Sequence, residues 1–110
     1  MDKRSLVNSR LKPLRSRIDA INTALLDMLN KRVAVAQKIG RIKSIVGAPV
    51  SDAAREQSII DNLKSKNRGP LDEAAVEKIF RTVIKETKRI ERIAHSESKS
   101  APGKKARRNG

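Results

Sequence analysis

From Leu14 to Val46 the chain runs without a proline, and apolar side chains recur as Leu14, Ile18, Ile21, Leu25, Met28, Val35, Ile39 and Ile42. Steps of four and three, interrupted once, draw a single stripe along an α-helix. At 1.5 Å per residue this helix extends about 50 Å, whereas a compact domain of this size is about 30 to 35 Å across. One copy of a 110-residue chain therefore cannot wrap the stripe. The spacing predicts an all-α fold with one very long first helix, covered by a second copy in an intertwined antiparallel homodimer.

Two further helices follow. Gly47-Ala48-Pro49 stops the first. Ser51 or Asp52 is placed to cap a second, with Ile59, Ile60 and Leu63 as its apolar positions and an end near Asn67-Arg68-Gly69-Pro70. Asp72 is placed to cap a third, with Val76, Ile79, Phe80, Val83, Ile84, Ile90 and Ile93 on or beside its inner face. No strand pattern or internal repeat stands out. Because Phe80 is the only aromatic residue, the core has to be aliphatic, which suits packed helices.

Charge divides the chain further. Lys and Arg number 26 against 12 acids, a formal net charge of +14. Residues 1–13 read as a flexible basic N-terminal extension, 14–94 as the helical domain, and 95–110, with a KKARR cluster, as a disordered basic tail. A solvated tail and a contact with nucleic acid or another anionic surface both fit that composition. No aromatic side chain lies among the basic residues to stack a base. The absence of cysteine and the single histidine, His95, exclude a disulfide scaffold and leave no Ser/His or Cys/His pair for nucleophilic chemistry. Hydrolase and metalloenzyme readings start weak, with no His cluster to hold a metal. No apolar run approaches the roughly 20 residues that span a membrane, and MDKRSLVNSR lacks a secretory apolar stretch. The expected location is cytoplasmic, with no membrane partner.

Function is written where polar residues interrupt the stripes. Arg32 falls midway between Leu25 and Ile39, at a position that calls for an apolar side chain. A guanidinium there needs an anion, a protein carboxylate, or a route to water along its stem. Lys43 lies three turns further on at nearly the same azimuth, so both side chains can converge on one small anion. Arg55 enters from the start of the second helix. On the third, Thr87 and Glu91 continue the Phe80, Ile84 stripe; an edge pair and a helix-stabilising contact remain open alternatives. Arg15 precedes Arg32 by about 26 Å on the same helix, so the two cannot hold one small ligand within a subunit. An antiparallel partner paired about a centre near residue 26 brings its Arg15 opposite the space between Arg32 and Lys43. Each dimer then has two equivalent sites.

The ordered set Leu14-Arg15-Ser16-Arg17-Ile18-Asp19-Ala20-Ile21, Leu25-Leu26, Arg32, Ile39-Gly40, Lys43, Gly47-Ala48-Pro49-Val50, Asp52, Arg55-Glu56, Gly69-Pro70-Leu71 and Ile79-Phe80 resembles the all-helical chorismate mutases. The resemblance covers about residues 14 to 91. It implies an isomerase of the shikimate pathway and aromatic amino acid biosynthesis that rearranges chorismate, a small dianion, to prephenate within a homodimer, without a cofactor. It also implies roles. Arg15 of the partner chain and Arg32 would hold the two carboxylates. Lys43 would bond a carboxylate and the ether oxygen, with Glu91 meeting that oxygen from the opposite side. Asp52 and Arg55 would line the pocket near the ring, Glu56 would take the ring hydroxyl, and Thr87 would contact a carboxylate. A glutamate at position 91 donates only while it holds a proton, where the glutamine of some members donates at any pH.

Two other readings compete. An isochorismate pyruvate lyase of the same fold lacks the Asp52, Arg55, Glu56 trio. A basic helical nucleic-acid-binding module accounts for the charge, but its cations belong on a solvent face, and Arg32 is expected on the buried one.

Overall fold

The computed structural model describes residues 2–100. Among them are three helices, α1 (Lys3–Val46), α2 (Ala53–Lys66) and α3 (Glu73–Ser100), and no strand. The chain divides inside α1, after Lys31, into two units.

The first unit is helical from Lys3, earlier than the apolar periodicity indicates. Residues 3–13, read from composition as a flexible extension, form the first turns of α1. Asp2 supplies the missing start signal, its carboxylate accepting the Ser5 N–H at 2.8 Å. Pro13 lies inside the helix and has no N–H to donate to the preceding turn. Within the single chain, Leu14, Ile18, Ile21, Leu25 and Met28 are between 49% and 62% exposed.

The second unit packs around Ile60, Val76, Ile84 and Ala94, with Ala36 from α1. Its connections are set by short-range chemistry. Gly47, at φ +72°, closes α1: the Gly47 N–H donates to Ser44 O at 3.3 Å and the Ala48 N–H to Lys43 O at 2.8 Å. That pair of bonds is a Schellman cap, which asks for a left-handed residue where Gly47 stands. Of the two candidate caps for α2, Asp52 serves, its Oδ1 accepting the Arg55 N–H at 3.0 Å. Asp72 does the same for α3, accepting the Ala75 N–H at 2.8 Å. Between them, the Asn67 amide donates to Leu71 O at 2.7 Å and its oxygen accepts the Gly69 N–H at 3.1 Å. The third helix also outruns its expected end. Residues 95–100, read as the start of a flexible tail, continue α3, and the KKARR cluster lies outside the described residues.

Where α1 meets α3, size decides. A Cβ on Gly40 would stand 2.8 Å from Glu91 O and 2.9 Å from Glu91 Cγ, so only a glycine lets the two helices come this close. Polar groups tie α2 to α3. Lys64 Nζ reaches Glu77 Oε1 at 2.6 Å, Arg81 Nε donates to Glu77 Oε2 at 3.0 Å, and Arg81 Nη2 donates to Gln57 at 2.6 Å. The hydrogen bond from Lys64, then that from Arg81, holds the Glu77 carboxyl below its ordinary value; the same bond raises Lys64.

Gly40→Ala gains helix propensity worth about 1 kcal/mol but overpacks against a backbone carbonyl, which costs about 1 to 3 kcal/mol. A lowered urea midpoint is expected, and a raised one would contradict the close approach. For Glu77 the depressed value means that its stabilisation is fully present above pH 4.5, the ordinary carboxyl value, and is lost as pH falls through the folded value. Glu77→Gln should therefore lower stability near neutrality and flatten the acid limb of a midpoint-versus-pH curve. An unchanged acid limb would show that the cluster does not contribute.

Candidate active site

A cleft of about 580 Å³ opens in the second unit. From α1 it takes Arg32, Val35, Ala36, Ile39 and Lys43, from the α1–α2 link Val50 and Asp52, from α2 Arg55, Glu56 and Ile59, and from α3 Ile84, Thr87, Lys88 and Glu91. The apolar members are the stripes that build the helices. Arg32, Thr87 and Glu91 are interruptions of those stripes, whereas Asp52 and Arg55 come from the start of α2.

Arg32 is half-buried, and its Nη1 donates to Thr87 Oγ1 at 2.8 Å. Of the alternatives left open above, this sets aside the protein carboxylate and leaves a bound anion or a route to water. The guanidinium meets a neutral hydroxyl rather than a carboxylate, so its charge is oriented but not neutralised. Thr87 is itself 6% exposed, on the inner side of α3.

Lys43 Nζ donates to Val50 O at 3.0 Å and stands 3.5 Å from Glu91 Oε2. The second distance is a charge pair rather than a good hydrogen bond. Glu91 Oε2 is buried and has no hydrogen-bond partner. A carboxylate oxygen taken out of water in that state is costly. A donor arriving in the cleft would complete it. Gly40 is the reason it lies there, since the close approach of α3 carries Glu91 in beside Lys43.

Two side chains of α3 hold the link that supplies Val50. His95 Nε2 lies 2.9 Å from Ala48 O, and since a carbonyl can only accept, that nitrogen carries the hydrogen. Arg92 Nη2 donates to Ser51 Oγ at 2.9 Å. The Val50 carbonyl is thereby positioned to steady the Lys43 ammonium.

Of the residues predicted from sequence, the cleft unites Arg32, Lys43, Asp52, Arg55, Glu56, Thr87 and Glu91. Asp52 and Arg55 are the exposed members, and one oxygen of Asp52 caps α2. Arg15 lies in the first unit, where it is exposed. Sequence reasoning missed Lys88, whose Nζ bonds Glu56 Oε2 at 2.9 Å. The signal existed: Ile84, Thr87, Lys88 and Glu91 share one helical face. His95 was missed because composition assigns it to the tail. Among the described residues no group of three or more His, Cys, Asp or Glu side chains is arranged to hold a metal ion, and no helix is long and apolar enough to cross a membrane.

Comparison with known proteins places this arrangement. The chain is 35% identical over 86 residues to a bifunctional chorismate mutase/prephenate dehydratase of Neisseria gonorrhoeae, an alignment covering 78% of this chain and 23% of that protein. It thus spans about a quarter or less of the length of such bifunctional relatives. It is 29% identical over 90 residues to a 4-amino-4-deoxychorismate mutase of Streptomyces venezuelae, covering 80% of this chain and 86% of that one. Its fold matches the structure of chorismate mutase (form I) from Thermus thermophilus with a TM-score of 0.70 and 31% identity, over 71% of this chain and 98% of that one. The family model for chorismate mutase type II matches residues 14–92. Those residues hold α2, most of α1 and α3, and every polar group of the cleft, and the chain belongs to the chorismate mutase type II family.

Proposed function

We propose that the chain is a chorismate mutase, an isomerase that rearranges chorismate to prephenate in a cleft completed by a second copy of itself. The observation that carries this reading is the unfinished electrostatics at the cleft floor: Arg32 on a neutral hydroxyl, and a buried Glu91 Oε2 that faces the Lys43 ammonium at 3.5 Å but accepts no hydrogen bond. Four cations and three carboxylates line the cleft. Arg15 of a second copy adds a fifth cation, so a dicarboxylate meets an excess of positive charge.

The exposed α1 stripe supports the dimer. Apolar side chains from Leu14 through Ile42 remain about half open within one chain, and covering the open half of each is worth about 1 kcal/mol. An antiparallel partner covers them and delivers its Arg15 to the neighbouring cleft. On this reading the protein is expected in the cytoplasm, on its dianionic substrate, and the positive field steers that substrate in.

The chemistry asks for few functional groups. The rearrangement is unimolecular and pericyclic: the ether C–O bond breaks while a C–C bond forms between the enolpyruvyl methylene and the ring, with no group transferred to the protein. Arginine forks on the two carboxylates hold the enolpyruvyl arm over the ring in the reactive chair. Binding that is equally strong throughout lowers KM alone, so the rate must come from groups that strengthen their hold as the bond breaks. Negative charge gathers on the ether oxygen. On this reading Lys43 and Glu91, the latter in its acid form, donate to it, while Thr87 keeps Arg32 aimed.

Purified protein should consume chorismate, followed by the loss of its absorbance, and Lys43→Ala should lower kcat by about 10²- to 10³-fold, as loss of one such donor typically does. No turnover by wild type, together with salt-steep DNA binding, would contradict the proposal and favour the nucleic-acid reading.

A further inference from the structure

Glu56 is not a free carboxylate. Its Oε2 accepts from Lys88 Nζ at 2.9 Å, and both side chains are about one-fifth exposed, at 20% and 23%. Both line the cleft, on α2 and α3 respectively. Lys88 is adjacent to Thr87 and one turn before Glu91, so its ammonium shares a wall with groups assigned to the substrate. Arg81 and Lys64 belong to the separate Glu77 cluster further along the α2–α3 seam, which leaves the Lys88–Glu56 pair as part of the cleft rather than of that seam.

We infer that Lys88 is a specificity-determining residue: by occupying Glu56 with a fixed positive charge, it makes the cleft select a ring carrying a hydroxyl over the otherwise identical ring carrying an amine. The inference rests on the proposed function, in which Glu56 receives the substituent at that ring carbon. A neutral hydroxyl donates to the free lone pairs of Glu56 and is indifferent to the neighbouring ammonium. A protonated amine gains little from a carboxylate already paired, and it must approach a like charge in a partly desolvated wall. The dianion with a hydroxyl also suits the excess of positive charge in the cleft, whereas the protonated amine analogue carries one negative charge fewer. Without Lys88 the same Glu56 would be an unpaired carboxylate, which attracts an ammonium. Lys88 thus acts through Glu56 as a negative selector, since a simple structural bridge between α2 and α3 would leave the choice of substituent unaffected.

The test compares kcat/KM for chorismate and for 4-amino-4-deoxychorismate in wild type, Lys88→Met, Lys88→Gln and Lys88→Arg. Wild type should prefer the hydroxyl substrate. Lys88→Met should reduce that preference by about tenfold or more, chiefly through a lower KM for the amine; Lys88→Arg, which keeps the charge, should retain it. Should Lys88→Met fail to fold, Lys88→Gln keeps a donor to Glu56 without the charge and must shift the ratio in the same direction. An unchanged ratio in a folded uncharged variant, or a wild type that prefers the amine, overturns the inference while leaving mutase activity intact. A wild type inactive on both substrates overturns the proposed function and the inference with it.

Discussion

The close approach of α3 to α1 at Gly40 is the constraint from which the cleft follows. With a Cβ there only 2.8 Å from a backbone carbonyl, any larger residue would push the helices apart. Glu91 would then leave Lys43, and one turn earlier Thr87 would leave Arg32. Both pairings depend on separations of 2.8 to 3.5 Å, so a shift of an ångström would disconnect the two helices chemically as well as sterically. The helix-propensity cost of a glycine, about 1 kcal/mol, is thus offset by a contact that assembles the polar floor of the cleft.

That floor is stable enough to form but is electrostatically incomplete. Arg32 is held by a hydroxyl, Glu91 keeps a buried oxygen without a hydrogen bond, and Lys43 is steadied by a backbone carbonyl that His95 and Arg92 help to position. Protein interiors rarely leave polar atoms in this condition without a use. On the proposed function a small dicarboxylate satisfies the cationic excess, and the same groups serve binding, orientation and the charge that develops in the transition state.

Much of this was legible in the amino acids because helical periodicity is strict. A polar residue at a position reserved for an apolar side chain starts from the inner face, and that logic singles out Arg32, Lys43, Thr87 and Glu91. Asp52 was recoverable from capping chemistry. The helix ends were not, for two reasons. Pro13 reads as a breaker, yet it removes a single backbone bond and α1 continues from Lys3. The Ser-rich segment after Ala94 reads as tail by composition, but His95 finds a tertiary partner in Ala48 O and α3 runs on to Ser100. Lys88 was passed over because a lysine beside a stripe is usually solvated; its ion pair with Glu56 depends on how α2 packs on α3, which periodicity does not encode.

The central claim is that each cleft takes cations from two copies. It is tested most directly by mixing Arg15→Ala and Arg32→Ala proteins under conditions of proven subunit exchange and measuring chorismate turnover. Each variant alone should be inactive, and the mixture should recover about a quarter of wild-type activity, because half of the randomly paired dimers carry one intact site of two. No recovery after exchange would contradict the shared cleft.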